Sequence, residues 1–122
     1  NIDTPINYQP VHETSNIALS VTPTVIKKQI IVSTPAGVIN FTTSTAAVLI
    51  DGLFGGTSGT ASHELYEMYK LHIINLSGAN AITMVGNTGA TVVGNAVVAA
   101  GASASFDVSL ATATTVSILR AS

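Results

Sequence analysis

The sequence predicts an all-β fold, an antiparallel β-sandwich or jelly roll over residues 17–122, preceded by an extended N-terminal arm over residues 1–16. Three observations lead there. Short runs alternate apolar with polar residues at the strand period of two. Turn signals rich in Gly, Pro and Asn separate these runs at near-regular spacing, giving about eight short strands. Residues 75–120 are almost entirely Ala, Val, Gly, Thr, Ser and Asn, with Asp107 and Arg120 as their charged members. Small and β-branched residues between turn formers build flat, short-stranded sheet.

Residues 1–16 carry Pro5 and Pro10, which fix φ and push Thr4 and Gln9 toward extended backbone. Two readings fit: a frayed terminus, as most termini are, or an extended arm laid on a neighbour and anchored by Ile2, Ile6, Tyr8 and Val11, since a disordered tail rarely holds four large anchors. From Asn16 onward the pattern is read as strands, without a helix. Residues 17–22 set Ile17, Leu19 and Val21 against Ala18, Ser20 and Thr22, and Pro23 ends the run. Residues 25–33 form a second apolar run, in which Lys27 and Lys28 mark a solvent-facing portion or a sheet edge. After the Pro35-Ala36-Gly37 turn come residues 38–43 and the short apolar run 46–50. Residues 51–62 hold four glycines and read as a loop pinned by Leu53 and Phe54.

Residues 63–76 are ambiguous. Leu65, Met68, Tyr69, His72 and Leu76 fit a helical face. No capping box precedes them, however, and the Ile73-Ile74 pair favours strand, so one long strand is expected. Residues 77–80 read as a hairpin turn. Ile82 and Met84, then Val92 and Val93, lie on either side of Gly86-Asn87-Thr88-Gly89, and Val85-Gly86-Asn87 is echoed by Val93-Gly94-Asn95. Phe106, Val108 and Leu110 alternate with Asp107 and Ser109, and residues 115–120 close the sheet.

Composition narrows the function. The 122 residues are 47% apolar but only 8% charged, against about 25% in ordinary soluble domains. Such a surface suits a subunit covered by neighbours. Four basic residues, two of them adjacent, are too few to neutralise a phosphate backbone, so no nucleic-acid partner is expected. The apolar runs are too short for a membrane-spanning helix, and no signal-peptide pattern opens the sequence. Without cysteine there is neither a disulfide framework nor a thiolate metal site.

The motifs that might carry chemistry are incomplete. His63-Glu64-Leu65-Tyr66-Glu67 approaches the zinc-protease pattern, but Glu67 stands where the second imidazole must sit one helical turn on. His12 and His72 could join His63 only through tertiary folding. Gly56-Thr57-Ser58-Gly59-Thr60 lacks the final glycine of a nucleophile elbow. Glu64 and Glu67, the closest carboxylates, fall on opposite faces of a strand and cannot flank one bond. No phosphate loop, dinucleotide fingerprint or calcium loop is present. Asn40-Phe41-Thr42 and Asn75-Leu76-Ser77 match the glycosylation sequon. The reading is therefore of a non-enzymatic protein without metal or cofactor.

Residues 69–83 (Tyr-Lys-Leu-His-Ile-Ile-Asn-Leu-Ser-Gly-Ala-Asn-Ala-Ile-Thr) are followed by Gly-Ala-Thr-Val-Val-Gly-Asn, Val-Ala-Ala-Gly-Ala-Ser-Ala-Ser-Phe and Thr-Thr-Val-Ser-Ile-Leu-Arg. In this style of low-charge sheet, residues 69–120 resemble the small β-domains of tailed-phage structural proteins, among them head decoration (cement) proteins and fibre-associated domains. The resemblance brings no catalytic residues with it. It implies a homotrimer on the capsid exterior of the virion that stabilises the shell by bridging major capsid protein subunits. Ile2, Ile6, Tyr8 and Val11 would then add to the capsid partner as an extended strand. Two alternatives fit the residues: a carbohydrate- or receptor-binding sandwich of a phage fibre, and a pilin-like subunit that polymerises by strand donation. The absence of Trp and the presence of only three tyrosines weigh against the first.

Overall fold

The chain is wound between two mixed β-sheets. The structure, a computed structural model, describes residues 12–54 and 68–122. Its elements are β1 (Glu13–Thr14), β2 (Leu19–Val21), α1 (Pro23–Lys28), β3 (Ile30–Ser33), β4 (Ile39–Thr43), α2 (Ala46–Leu53), β5 (Met68–Asn75), β6 (Ile82–Val85), β7 (Ala90–Val93), β8 (Val97–Val98), β9 (Ser103–Thr112) and β10 (Thr115–Arg120). The first sheet has the order β1-β3-β5-β9-β10-β7, the second β2-β4-β6-β8. Through β8 each strand passes to the other sheet.

This winding corrects the antiparallel expectation. A chain that visits the second sheet after every strand returns to the first running in the same direction. Hence β1, β3 and β5 are parallel neighbours, as are β2, β4 and β6. β7 also lies parallel to β10. Antiparallel pairing is confined to β6 with β8, β5 with β9 and β9 with β10. For the same reason residues 77–80 and 86–89 are not hairpin turns, because each joins strands of different sheets.

Two helices replace expected strand. Pro23 opens α1 instead of merely ending β2: it stands at the first helical turn, where its missing N–H costs nothing, and the Thr22 side chain caps the Val25 N–H. Only residues 30–33 of the expected run 25–33 are strand. The run 46–50 belongs to α2, capped by Thr45, and buries Ala46, Leu49, Ile50 and Leu53 at helical spacing. Leu53 and Phe54 are buried, but residues 51–53 are the end of α2 and not the expected loop, and 55–62 lie outside the described residues. Of residues 63–76, those from Met68 to Asn75 form the expected strand, and 63–67 lie outside the described residues.

Inward residues of both sheets and both helices meet in one core. Ile31, Leu71, Ile73, Phe106, Val108 and Ile118 come from the first sheet, Val21, Phe41, Ile82, Met84 and Val98 from the second. Each large side chain removed from water here contributes about 1.5–3 kcal/mol. The winding also sorts the connections. Residues 15–18, 34–38 and 76–81 lead from the first sheet to the second and stack along one flank. Thr34 N–H donates to the Asn16 side chain at 2.8 Å, Leu76 N–H to the Ser33 carbonyl at 2.8 Å, and the Asn80 side chain to the Pro35 carbonyl at 3.2 Å. Residues 99–102 join the same flank, where Asn75 N–H donates to the Ala102 carbonyl at 2.9 Å. The helices and residues 86–89 take the opposite flank, and Ala46 N–H donates to the Thr88 carbonyl at 2.9 Å.

Candidate interaction surfaces

The outer face of the first sheet carries a block of four polar side chains. β5 and β9 run antiparallel with His72 opposite Ser105 and Lys70 opposite Asp107. His72 Nδ1 lies 2.8 Å from Ser105 Oγ, and Lys70 Nζ lies 2.9 Å from Asp107 Oδ1. A shallow depression of about 280 Å³, lined by Gln29, Ile30, Lys70 and His72, lies beside them. A serine–histidine pair becomes a nucleophile when a third group orients the imidazole and fixed donors await an oxyanion. Here Asp107 is held by Lys70, and the strand backbone beneath is engaged in the sheet ladder. The block is a cross-strand polar pairing, which stabilises a sheet modestly.

The remaining candidates are dispersed. Among the described residues, no group of three His, Asp or Glu comes together, and the His63–Glu67 segment lies outside them. Of the three tyrosines, Tyr69 is turned inward: its hydroxyl donates to the Leu53 carbonyl at 2.6 Å, and its ring meets Phe54 edge-on at 5.5 Å. It is not presented as a stacking platform for a sugar. Of the two sequon asparagines, Asn40 is exposed on β4. Asn75 is buried and fully engaged, which closes it to modification.

Ile2, Ile6, Tyr8 and Val11 lie outside the described residues. The end of the 1–16 segment is placed at the open edge of the first sheet. There β1 pairs with β3, Lys28 Nζ lies 2.8 Å from Glu13 Oε1, and Ser15 N–H donates to the Val32 carbonyl at 3.2 Å.

The second sheet presents a different surface. Its outward positions are Ser20, Thr42 and Val85 in one row and Asn40, Thr83 and Val97 in the next. None is ionisable. Several charged groups are instead engaged within the molecule: Lys28 with Glu13, Lys70 with Asp107, and Arg120 with backbone. The Arg120 guanidinium donates to the Asn95 and Val97 carbonyls at 2.9 Å and lies 5.6 Å from the centre of the Phe106 ring. It thereby ties β10 to the start of β8, one sheet to the other.

Neither family models nor curated proteins match this chain, and no solved structure matches its fold. The reading of function therefore rests on these surfaces and on the sequence. The neutral outer row was foreshadowed by the low charge content. Its residues could not be named beforehand, because which Thr and Asn share a face depends on parallel register between distant strands.

Proposed function

We propose that this protein is a non-enzymatic virion structural subunit that binds the outer surface of a phage capsid and stabilises it by bridging major capsid subunits. The observation that carries the reading is the outer face of the second sheet, two rows of Ser, Thr, Asn and Val without an ionisable side chain. Burying such a face against a partner strands no charge, so desolvation is inexpensive and apolar area and hydrogen bonds are gained. Individually weak contacts repeated over a symmetric shell add up through avidity. The inward-turned Tyr69 weighs against the carbohydrate-binding alternative.

In this reading Ile2, Ile6, Tyr8 and Val11 supply a strand that pairs with the capsid partner. The test is co-sedimentation of purified protein with expanded phage heads, using the full chain and a chain lacking residues 1–12. The full chain is expected to sediment with the heads and to raise the temperature at which they break. The truncated chain is expected to keep its melting curve and lose the heads. Decoration by the truncated chain refutes the role of the arm, and failure of the full chain to bind any head refutes the capsid reading.

A further inference from the structure

Gln29 holds a left-handed backbone, with φ of 73°, at the end of α1. A side chain other than glycine's costs free energy there, and such strain concentrates where a side chain is put to use. Both backbone groups of Gln29 are tied. Its N–H donates to the Ile26 carbonyl, and its carbonyl accepts from His72 N–H at 2.8 Å, so the side chain leaves the backbone in a fixed direction. With Ile30, Lys70 and His72 it lines the depression of about 280 Å³ on the outer face of the first sheet.

Each polar residue of that lining has a donor to offer. Ile30, His72 and Ser105 lie in register across β3, β5 and β9. His72 Nδ1 lies 2.8 Å from Ser105 Oγ, which turns the Nε2 edge of the ring toward β3 and the depression. Among the described residues the Ser105 hydroxyl has no other acceptor, so it donates to Nδ1 and the ring hydrogen sits on Nε2. Lys70 gives one N–H to Asp107 at 2.9 Å and keeps the others. Its side chain is 64% exposed against 20% for Asp107, so the ammonium is the reachable member of the pair. The Gln29 carboxamide makes no hydrogen bond among the described residues. No carboxylate lines the depression, and Ile30, 39% exposed, gives it an aliphatic wall.

We infer that this depression binds a small aliphatic monocarboxylate. Its carboxylate accepts from Lys70 Nζ, His72 Nε2 and the Gln29 amide, and its tail lies on Ile30 and the stem of Lys70. An apolar wall with a few convergent polar groups is the ordinary make-up of a small-molecule site. Three donors without a competing acceptor select an anion, because hydrogen bonds to an ionised acceptor are the stronger ones. The ammonium is the one fixed positive charge on the lining and is shared with Asp107. It balances a single negative charge, whereas a phosphate dianion would meet the Asp107 carboxylate with too little cation to offset it. The inference goes beyond shell binding, which was argued from the second sheet, and does not rest on it.

The experiment is titration of the full chain with butyrate, followed in amide proton–nitrogen correlation spectra, with butyramide and inorganic phosphate as comparison ligands. Butyrate is expected to shift the amides of Gln29, Ile30, Lys70 and His72 saturably, with a Kd in the millimolar range that suits so small a ligand. Phosphate should bind more weakly and butyramide not measurably. Lys70→Met keeps the aliphatic stem and Gln29→Gly keeps the backbone conformation; each should weaken butyrate roughly tenfold. Asp107→Asn releases the ammonium and should tighten binding, which a purely structural role for the ion pair would not do. Lys27→Met removes the same charge from α1, outside the depression, and should leave the Kd unchanged. Far-UV circular dichroism checks that every variant is folded. Shifts that stay linear in butyrate overturn the inference, as does butyramide or phosphate binding as well as butyrate. So does a loss in Lys27→Met equal to that in Lys70→Met. None of these outcomes bears on binding to phage heads, so the two readings fail separately.

Discussion

The Asn75 side-chain amide crosses from the first sheet to the second and donates to the Val98 carbonyl at 3.1 Å. The same amide group donates to the Asn80 carbonyl at 2.9 Å, and its oxygen accepts from Ser77 N–H at 3.0 Å. One buried side chain thus satisfies three backbone groups where the chain leaves β5 for β6. Asn75→Ala leaves all three bare and should cost about 3 kcal/mol. Asn75→Asp should cost no less, because a carboxylate would face two carbonyl oxygens. Urea denaturation measures both, and a loss below about 1 kcal/mol for Asn75→Ala would show the tie to be unimportant.

Ser33, opposite Asn75 in the register of β3 and β5, is buried, and its hydroxyl makes no hydrogen bond to the protein. An unpaired hydroxyl loses its solvation on folding and recovers nothing. Ser33→Ala should therefore stabilise the protein by about 1 kcal/mol, read as a higher midpoint at unchanged slope in denaturant. A lower midpoint would refute the account.

Gln29 follows α1 with φ of 73°, the left-handed region, and is the one non-glycine residue there among the described residues. Its N–H donates to the Ile26 carbonyl, and its own carbonyl accepts from His72 N–H at 2.8 Å, so the conformation is held from both sides. Glycine adopts it without steric penalty. Gln29→Gly should raise stability by about 1 kcal/mol, whereas Gln29→Val should lower it by more than that. Thermal melts of the two variants, compared with the wild type, decide the matter.

Gly86 and Gly37 make a paired test of close packing. A Cβ at Gly86 would sit 2.2 Å from the Ala90 carbonyl oxygen, a backbone atom that cannot move aside alone. A Cβ at Gly37 would meet nothing within 4 Å. Gly86→Ala should cost about 3 kcal/mol, and Gly37→Ala should change stability by no more than about 0.5 kcal/mol. Equal effects at the two sites would contradict the turn geometry after β6.

The β-rich character was legible in the sequence because alternation is a local property. Leu19 and Val21 turn inward around Ser20, and Phe106, Val108 and Leu110 turn inward around Asp107 and Ser109, as their spacing says. The helix signals were equally local but were read past. Thr22-Pro23 is a cap followed by a proline at the first helical turn, and residues 46, 49, 50 and 53 are spaced for one helix face. Parallel pairing was not legible, because Leu19 meets Phe41 and Ile31 meets Ile73 only after intervening chain has crossed to another sheet. The same distance hid the surfaces. Ile17, Val38 and Leu76, read from the sequence as members of strands 17–22, 38–43 and 63–76, fall instead in connections just outside β2, β4 and β5 and are exposed.

That winding also dictates an order of events during folding. Among the described strands, only β9 and β10 are both consecutive in sequence and hydrogen-bonded to each other. Every other pairing must first close a loop, an entropic cost that slows formation of non-local sheet. The hairpin that can form early is also the latest of the described strands in chain order. A nascent chain therefore emerges with its parallel strands unpaired, and a fragment ending before Ser103 lacks both antiparallel partners that close the first sheet. Such a fragment is expected to show no cooperative melt, while a chain that includes β9 and β10 refolds slowly, outward from that hairpin.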